Sequence, residues 1–314
     1  MHTGLQLKKW LCDALDEPDD FFDGDTKSQL TKRNAYRLLD EAAKYFLQIT
    51  GALQAEVTIT TVEDQQAYDL PVDFVRLKMR CPSGCHVIKY YDADADNYLF
   101  PRSETYENVY LDNQTVSAET PVSFAVREKQ STEDVLTGNV TSAGAAANGQ
   151  CTLTDSGKLF TTTNLVYARD SVENVTDGSL GLVLSVTDAT SLLTALFGGT
   201  DNDWTNSDAY RIYRQNRKQI YLDAPSKTAG DTITVPYIQM VDPVYSERGF
   251  WRFSEDVCWG ICNRAAASFK ASKGDFQEAA VLDAVFSAHA VGRQKVEDFR
   301  RGASGRVRRE AWLL

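Results

Sequence analysis

Residues 38–61 read LLDEAAKYFLQITGALQAEVTITT, and the hydrophobic period changes in the middle of the stretch. On the first side Leu39, Ala42, Phe46 and Ile49 fall three or four apart, the spacing of one helix face. On the second, Val57, Ile59 and Thr61 alternate with polar neighbours, the period of a half-buried strand. Gly51 stands between the two patterns, where a residue in the left-handed conformation ends a helix. The stretch predicts a helix beginning near Thr26 and running to Thr50, followed directly by a β region.

Before this stretch, Thr3 and Gln6 have capping-box spacing, and Leu7, Trp10, Leu11, Ala14 and Leu15 trace an apolar stripe. Pro18 and an acidic run end that first helix. After it, a polar turn at 63–66 and the segment YDLPVDFVRL continue the β reading, with further strands expected at 86–91, 122–128, 219–222 and 231–238. Pro236 in the last of these predicts an edge strand or a bulge, because proline cannot donate to a ladder.

Residues 131–210 differ in texture: they carry fourteen threonines, many glycines and short strands such as GLVLSV between turn signals. The pattern predicts a small β-barrel or sandwich inserted into the main body. After Phe250 the helical period returns, with Phe253, Val257, Ile261, Ala265 and Phe269 four apart. Asp275 and Glu278 then cap a last helix whose core face is read at Val281, Val285, Ala288, Gly292 and Val296.

The expected class is α+β, with the N- and C-terminal helices forming a bundle around a central antiparallel β region that carries the inserted β-barrel or sandwich. The expected division is 1–54 N-terminal helices, 55–130 β region, 131–210 inserted β domain, 211–250 β region continued, 251–300 C-terminal helices and 301–314 basic tail.

The 314 residues carry a formal net charge of −11, unevenly spread. Between Asp13 and Asp25 there are seven acidic residues and no basic one. Residues 131–210 hold ten Asp and Glu against Lys158 and Arg169 alone. From Arg293 to Glu310 the sign reverses, with seven Arg and Lys against three acidic residues. Such polarity is the usual mark of a chain whose parts face different partners, while any single cluster reads first as a solvated face. No apolar run approaches the ~20 residues of a membrane-spanning helix, so neither a membrane span nor a signal peptide is expected.

Chemical motifs are sparse. Cys81 and Cys85, followed by His86, and Cys258 and Cys262 have C-x3-C spacing; buried structural thiols are commoner than zinc ligands at that spacing. Asp92, Asp94 and Asp96 occupy the first alternate positions of a calcium loop, but Asn97 and Ser103 stand where glycine and glutamate belong, so a solvated turn is expected. Asp201 and Asp203 read as turn chemistry. Asn113, Asn139 and Asn174 open N-x-T triplets, which matter only in a secreted chain. His289, among alanines, reads as a packed core histidine. No nucleophile or nucleotide motif is present, so no catalytic residue, cofactor site or metal site is assigned, and the chain is expected not to be an enzyme.

The C-terminal tail carries the most information. Arg306, Arg308 and Arg309 are followed by Trp312, Leu313 and Leu314, so a basic arm ends in apolar anchors. Apolar anchors suit a protein groove better than a phosphate backbone; the other reading of the tail is a frayed end with incidental hydrophobics.

In order and texture, LLDEAAKYFLQITGALQAEVTITTVEDQQAYDLPVDFVRL at 38–77 and QIYLDAPSKTAGDTITVPYIQMVDP at 219–243, with the closing helices, resemble the head-to-tail adaptor (connector) proteins of tailed bacteriophages. The resemblance covers about 1–130 and 211–314. The segment DGSLGLVLSV…LFGGTDNDWTNSDAYRIY also resembles small β modules of phage structural proteins.

The family implies a ring of subunits, usually twelve, in the virion neck, made in the host cytoplasm. Its implied partners are the portal protein, tail or nozzle proteins and further copies of itself. DNA passes through the lumen without specific binding, and acidic lumen surfaces would let it slide. The tail residues Arg306, Arg308, Arg309, Trp312, Leu313 and Leu314 would then dock in the portal. Two other readings remain open from sequence: a tail-associated receptor-binding or fibre-attachment protein acting through the insert, and a carbohydrate-active enzyme with paired carboxylates.

Overall fold

The computed structural model describes residues 2–24, 31–78, 88–91, 96–101, 120–129, 135–215 and 217–292. Its first elements are β1 (His2–Thr3), α1 (Gly4–Leu15), α2 (Thr31–Thr50), β2 (Gln54–Thr60), β3 (Ala67–Asp69), β4 (Phe74–Leu77), β5 (Ile88–Tyr91), β6 (Asp96–Pro101) and β7 (Ser123–Lys129). Six strands follow: β8 (Leu136–Asn139), β9 (Cys151–Thr154), β10 (Ser171–Asn174), β11 (Ser179–Val186), β12 (Ser191–Phe197) and β13 (Ala209–Tyr213). The last described elements are β14 (Arg217–Leu222), β15 (Thr232–Gln239), β16 (Phe250–Trp251), α3 (Glu255–Ser272) and α4 (Phe276–Phe286), which continues into a π-helical turn, Ser287–Gly292. The fold is mixed α and β, with mainly antiparallel sheets.

Two compact units result. The first comprises Met1–Thr50, Asp134–Arg214 and Val241–Leu314; the second comprises Gly51–Glu133 and Gln215–Met240.

In the first unit the helices meet on α3. The Thr3 hydroxyl caps α1 by accepting from the Gln6 amide at 3.4 Å, and Leu7, Leu11 and Leu15 are buried. The Cys262 thiol of α3 donates to the Leu7 carbonyl at 3.6 Å, and Trp10 meets Trp259 edge-on at 6.1 Å. From α2, Ala35, Leu39, Ala42, Ala43, Phe46 and Leu47 are buried. Phe46 packs edge-on against Phe253 at 5.4 Å. Each fully buried Leu or Phe contributes about 1.5–3 kcal/mol relative to an exposed one. Ile49, expected on the same face, is 44% exposed, because it lies at the rim of a stripe centred on Leu39 and Phe46.

The six strands β8 to β13 belong to this same unit and pair in the order β8-β13-β10-β11-β12-β9. Ser142, just past β8, bridges Thr154 at the end of β9, so the two edges of the path curl toward each other. Leu153, Phe160, Val172, Val183, Leu192, Trp204 and Ile212 fill the interior. This β layer meets the helices through named contacts. Tyr36 of α2 lies 6.2 Å from Phe197, the Gln150 amide donates to Ser246 Oγ at 2.7 Å, and the Arg169 guanidinium pairs with Asp40 of α2.

The second unit is an eight-stranded sheet, β2-β15-β5-β6-β7-β14-β3, with β4 also paired to β15. Its core is Tyr68, Leu70, Ile88, Tyr90, Leu99, Phe124, Ile220, Leu222, Ile233 and Val235. The β15 strand is central, which corrects the edge half of the expectation from Pro236, while its ladder with β4 does shift register between Ile238 and Gln239. One side pairs with β2 throughout, while the other pairs with β5 at Thr232–Thr234 and with β4 from Tyr237. The Pro236 carbonyl accepts from Lys78 N at 3.0 Å, so its donor-less nitrogen points to that second side, into the gap between two partners. Gly51, with φ +63°, ends α2 as its position predicted.

Candidate interaction surface

The most distinctive surface among the described residues is α4. Gly274 (φ +87°) turns the chain after α3, and the Asp275 carboxylate caps α4 by accepting from the Glu278 amide at 3.3 Å. With so short a connection α4 runs back along α3. Arg264 pairs with Asp283 at 2.7 Å, and Lys270 with Glu278 at 2.6 Å. Farther along, Gly260 lets the π-helical turn come close, since a Cβ there would stand 2.7 Å from Ala290 Cβ.

Eight of the eleven residues of α4, FQEAAVLDAVF, are apolar, yet only Ala279 and Phe286 are buried. Phe276 is 71% and Val281 65% exposed, and Ala280 and Ala284 are exposed on the same side. A helix that is apolar all round is normally buried all round. This one has a core on one side and an uncovered apolar surface on the other.

The outcome differs from the sequence expectation. Of the face expected at Val281, Val285, Ala288, Gly292 and Val296, Val281 and Ala288 are exposed and Val296 lies outside the described residues, while Ala279, Phe286, Ala290 and Val291 are buried. With apolar residues on every side, periodicity alone does not select a face. His289, expected in the core, is exposed on the π-helical turn. The wider ring of a π turn shifts the phase of the helix, so Ala290 and Val291 point inward instead.

The six tail residues Arg306, Arg308, Arg309, Trp312, Leu313 and Leu314 lie outside the described residues, as do Cys81, Cys85, His86, Asp92, Asp94, Ser103 and Asn113. Asp96 and Asn97 lie in β6, paired with Tyr91 and Tyr90 of β5.

Cys12, Cys151, Cys258 and Cys262 are free and buried. Burial pushes the thiols of Cys12 and Cys151 up to about 11, that of Cys258 up to about 12, and that of Cys262 well above its ordinary value. They are inert packing groups at neutral pH. Among the described residues no three His, Cys, Asp or Glu side chains are placed to hold a metal ion. No helix of the described residues is long and apolar enough to cross a membrane.

The acidic insert residues do structural work. The Asp177 carboxylate accepts backbone N–H bonds from Thr200, Asp201 and Asn202 at 2.8, 3.1 and 3.2 Å. Burial pushes its carboxyl up, but these hydrogen bonds outweigh burial and leave it below the usual carboxylate value. Asp203 is raised, first by burial and then by Asp201, Asp177 and Asp208. Asn174 is buried and donates to Asp208 at 2.8 Å, so it is no glycan acceptor.

Arg169 sits at φ +77°, a conformation that costs an arginine about 1 kcal/mol. There its guanidinium pairs with Asp40 and donates to the Val241 carbonyl at 2.6 Å. The strain is spent on joining the β layer to α2.

Comparison with protein-family models and with curated proteins finds no match to the chain.

Proposed function

We propose that the chain is a structural virion protein, a head-to-tail adaptor of a tailed bacteriophage. In this reading its copies assemble into a ring, twelve by the family pattern, that docks on the portal and connects it to tail or nozzle proteins. DNA passes through the channel without specific binding. The terminal helices are the bundle of that ring, and 131–210 is a small β-barrel inserted into the subunit.

The observation that carries the reading is the outer side of α4. Exposed Phe276 and Val281, with Ala280 and Ala284 between them, form an apolar strip that a freely soluble monomer has no use for. Strips of this kind are covered by other protein, and aromatic residues at their centre dominate the binding energy. The order of helical and β segments and the basic-apolar tail support the adaptor reading in particular.

Co-sedimentation with the portal protein tests it. The full chain should pellet with portal rings, and a chain lacking 306–314 should keep its fold and bind at least about tenfold more weakly, the loss of one or two good anchors. Unchanged binding on truncation would count against the tail as the docking arm. Binding of host polysaccharide in place of portal would favour the receptor-binding alternative.

A further inference from the structure

Where the end of α1 meets α4 there is an open groove of about 540 Å³, within the size range of ligand sites. Leu15, Val281 and Leu282 give it an apolar floor, and Asp16, Glu17 and Glu278 put carboxylates on its banks. Lys270 also lines the groove; it pairs with Glu278 and lies within the field of Glu17, whereas Asp16 makes no ion pair among the described residues. The left-handed conformation of Asp16 (φ +57°) ends α1 here and turns the chain along the rim.

The groove asks for a short segment that is both cationic and apolar. The sequence contains one, 306–314, RVRREAWLL. We propose that this groove is the intramolecular dock of residues 306–314. Trp312 to Leu314 would lie on the apolar floor, and the arginines at 306, 308 and 309 would face Asp16 and Glu17.

Geometry permits it. Ten residues of helical rise separate Leu282 from Gly292, about 15 Å. The fourteen residues from Gly292 to Arg306 span up to about 46 Å when extended, enough to return to the groove. A tether of this length gives an effective concentration in the millimolar range, so even a weak contact is populated. In the docked state the anchors leave solvent and part of the exposed α4 surface is covered. A partner that takes the tail must first compete it away. The inference does not depend on whether that partner is a portal.

Hydrogen exchange on the full-length chain, read by mass spectrometry, tests the dock. Amides of 308–314 should exchange at least about tenfold more slowly than an unconstrained peptide, and amides at 276–286 should lose protection when 306–314 is removed. Asp16→Lys with Glu17→Lys should abolish the tail's protection. Adding Arg306→Glu, Arg308→Glu and Arg309→Glu to that variant should restore it, which loss of fold alone would not allow. Protection should be independent of protein concentration. Unconstrained exchange of the tail in the full chain would overturn the proposal. So would protection that appears only as concentration rises, which would assign the tail to a second copy.

Discussion

Helices α2 and α4 pack on the same partner, α3, and they are opposites as sequences. In α2 charged and apolar residues are segregated, so its buried stripe through Leu39, Ala42 and Phe46 can be read from spacing and matches the structure. In α4 apolar residues occupy every side, so a core is certain but its direction is not. Surplus apolarity carries its own information. Contrast specifies the inner face of a helix, and the absence of contrast marks one that has two faces to cover. The eight apolar residues in eleven were the available signal for the α4 surface, and a search for a single core face passes over it.

The largest expected effect sharpens that contrast. Phe46→Ala should cost about 3–5 kcal/mol in chemical denaturation, as for other buried Phe truncations. Phe276→Ala, the same change at the exposed surface, should stay within about 0.5 kcal/mol. Equal losses would mean that α4 is as buried as α2 and would remove the interface.

Next in size is the joint between the β layer and α2. Arg169→Ala leaves Asp40 without its cation and should cost about 2–3 kcal/mol, less than for a fully buried pair because both side chains retain some solvent contact. A neutral result would show that residues 135–213 are anchored by apolar contacts such as Tyr36 with Phe197, and not by the ion pair.

Smaller still is the Asp177 turn. Asp177→Asn should cost about 1–2 kcal/mol by weakening charge-assisted bonds to three amides. Because the folded carboxyl lies below its ordinary value, its contribution is complete above the usual carboxylate range and is lost as pH falls toward the lowered pKa. Amide shifts of Thr200 and Asp201 should titrate with it. A turn that strengthens on acidification would reverse the sign and refute the assignment.

Least costly to the fold is Val281→Asp, which should leave the denaturation midpoint within about 0.5 kcal/mol. Its effect should instead be on association, at least about tenfold weaker wherever α4 meets another protein.

Much of the architecture was legible because local rules and tertiary packing agree. The Thr3 and Asp275 caps, Gly51 and the alternation at Val57 and Ile59 each name their structure directly. Pro236 misled as to an edge because that rule assumes one partner per strand side, whereas β15 changes partners at that residue; its other reading, a bulge, fits the register shift between Ile238 and Gln239. His289 misled because a π turn changes the helical phase without a sequence mark. The link between the inserted strands and the helices was invisible, since Arg169 and Asp40 lie 129 residues apart and nothing local ties them. The tail was legible as chemistry, a basic run with apolar anchors, but sequence does not say what it touches.

A reconstruction of the protein assembled on the portal should show a closed ring in which Phe276 and Val281 are covered by neighbouring protein and residues 306–314 enter the portal. An assembly in which the α4 surface faces open solvent and the tail makes no portal contact would contradict the adaptor reading.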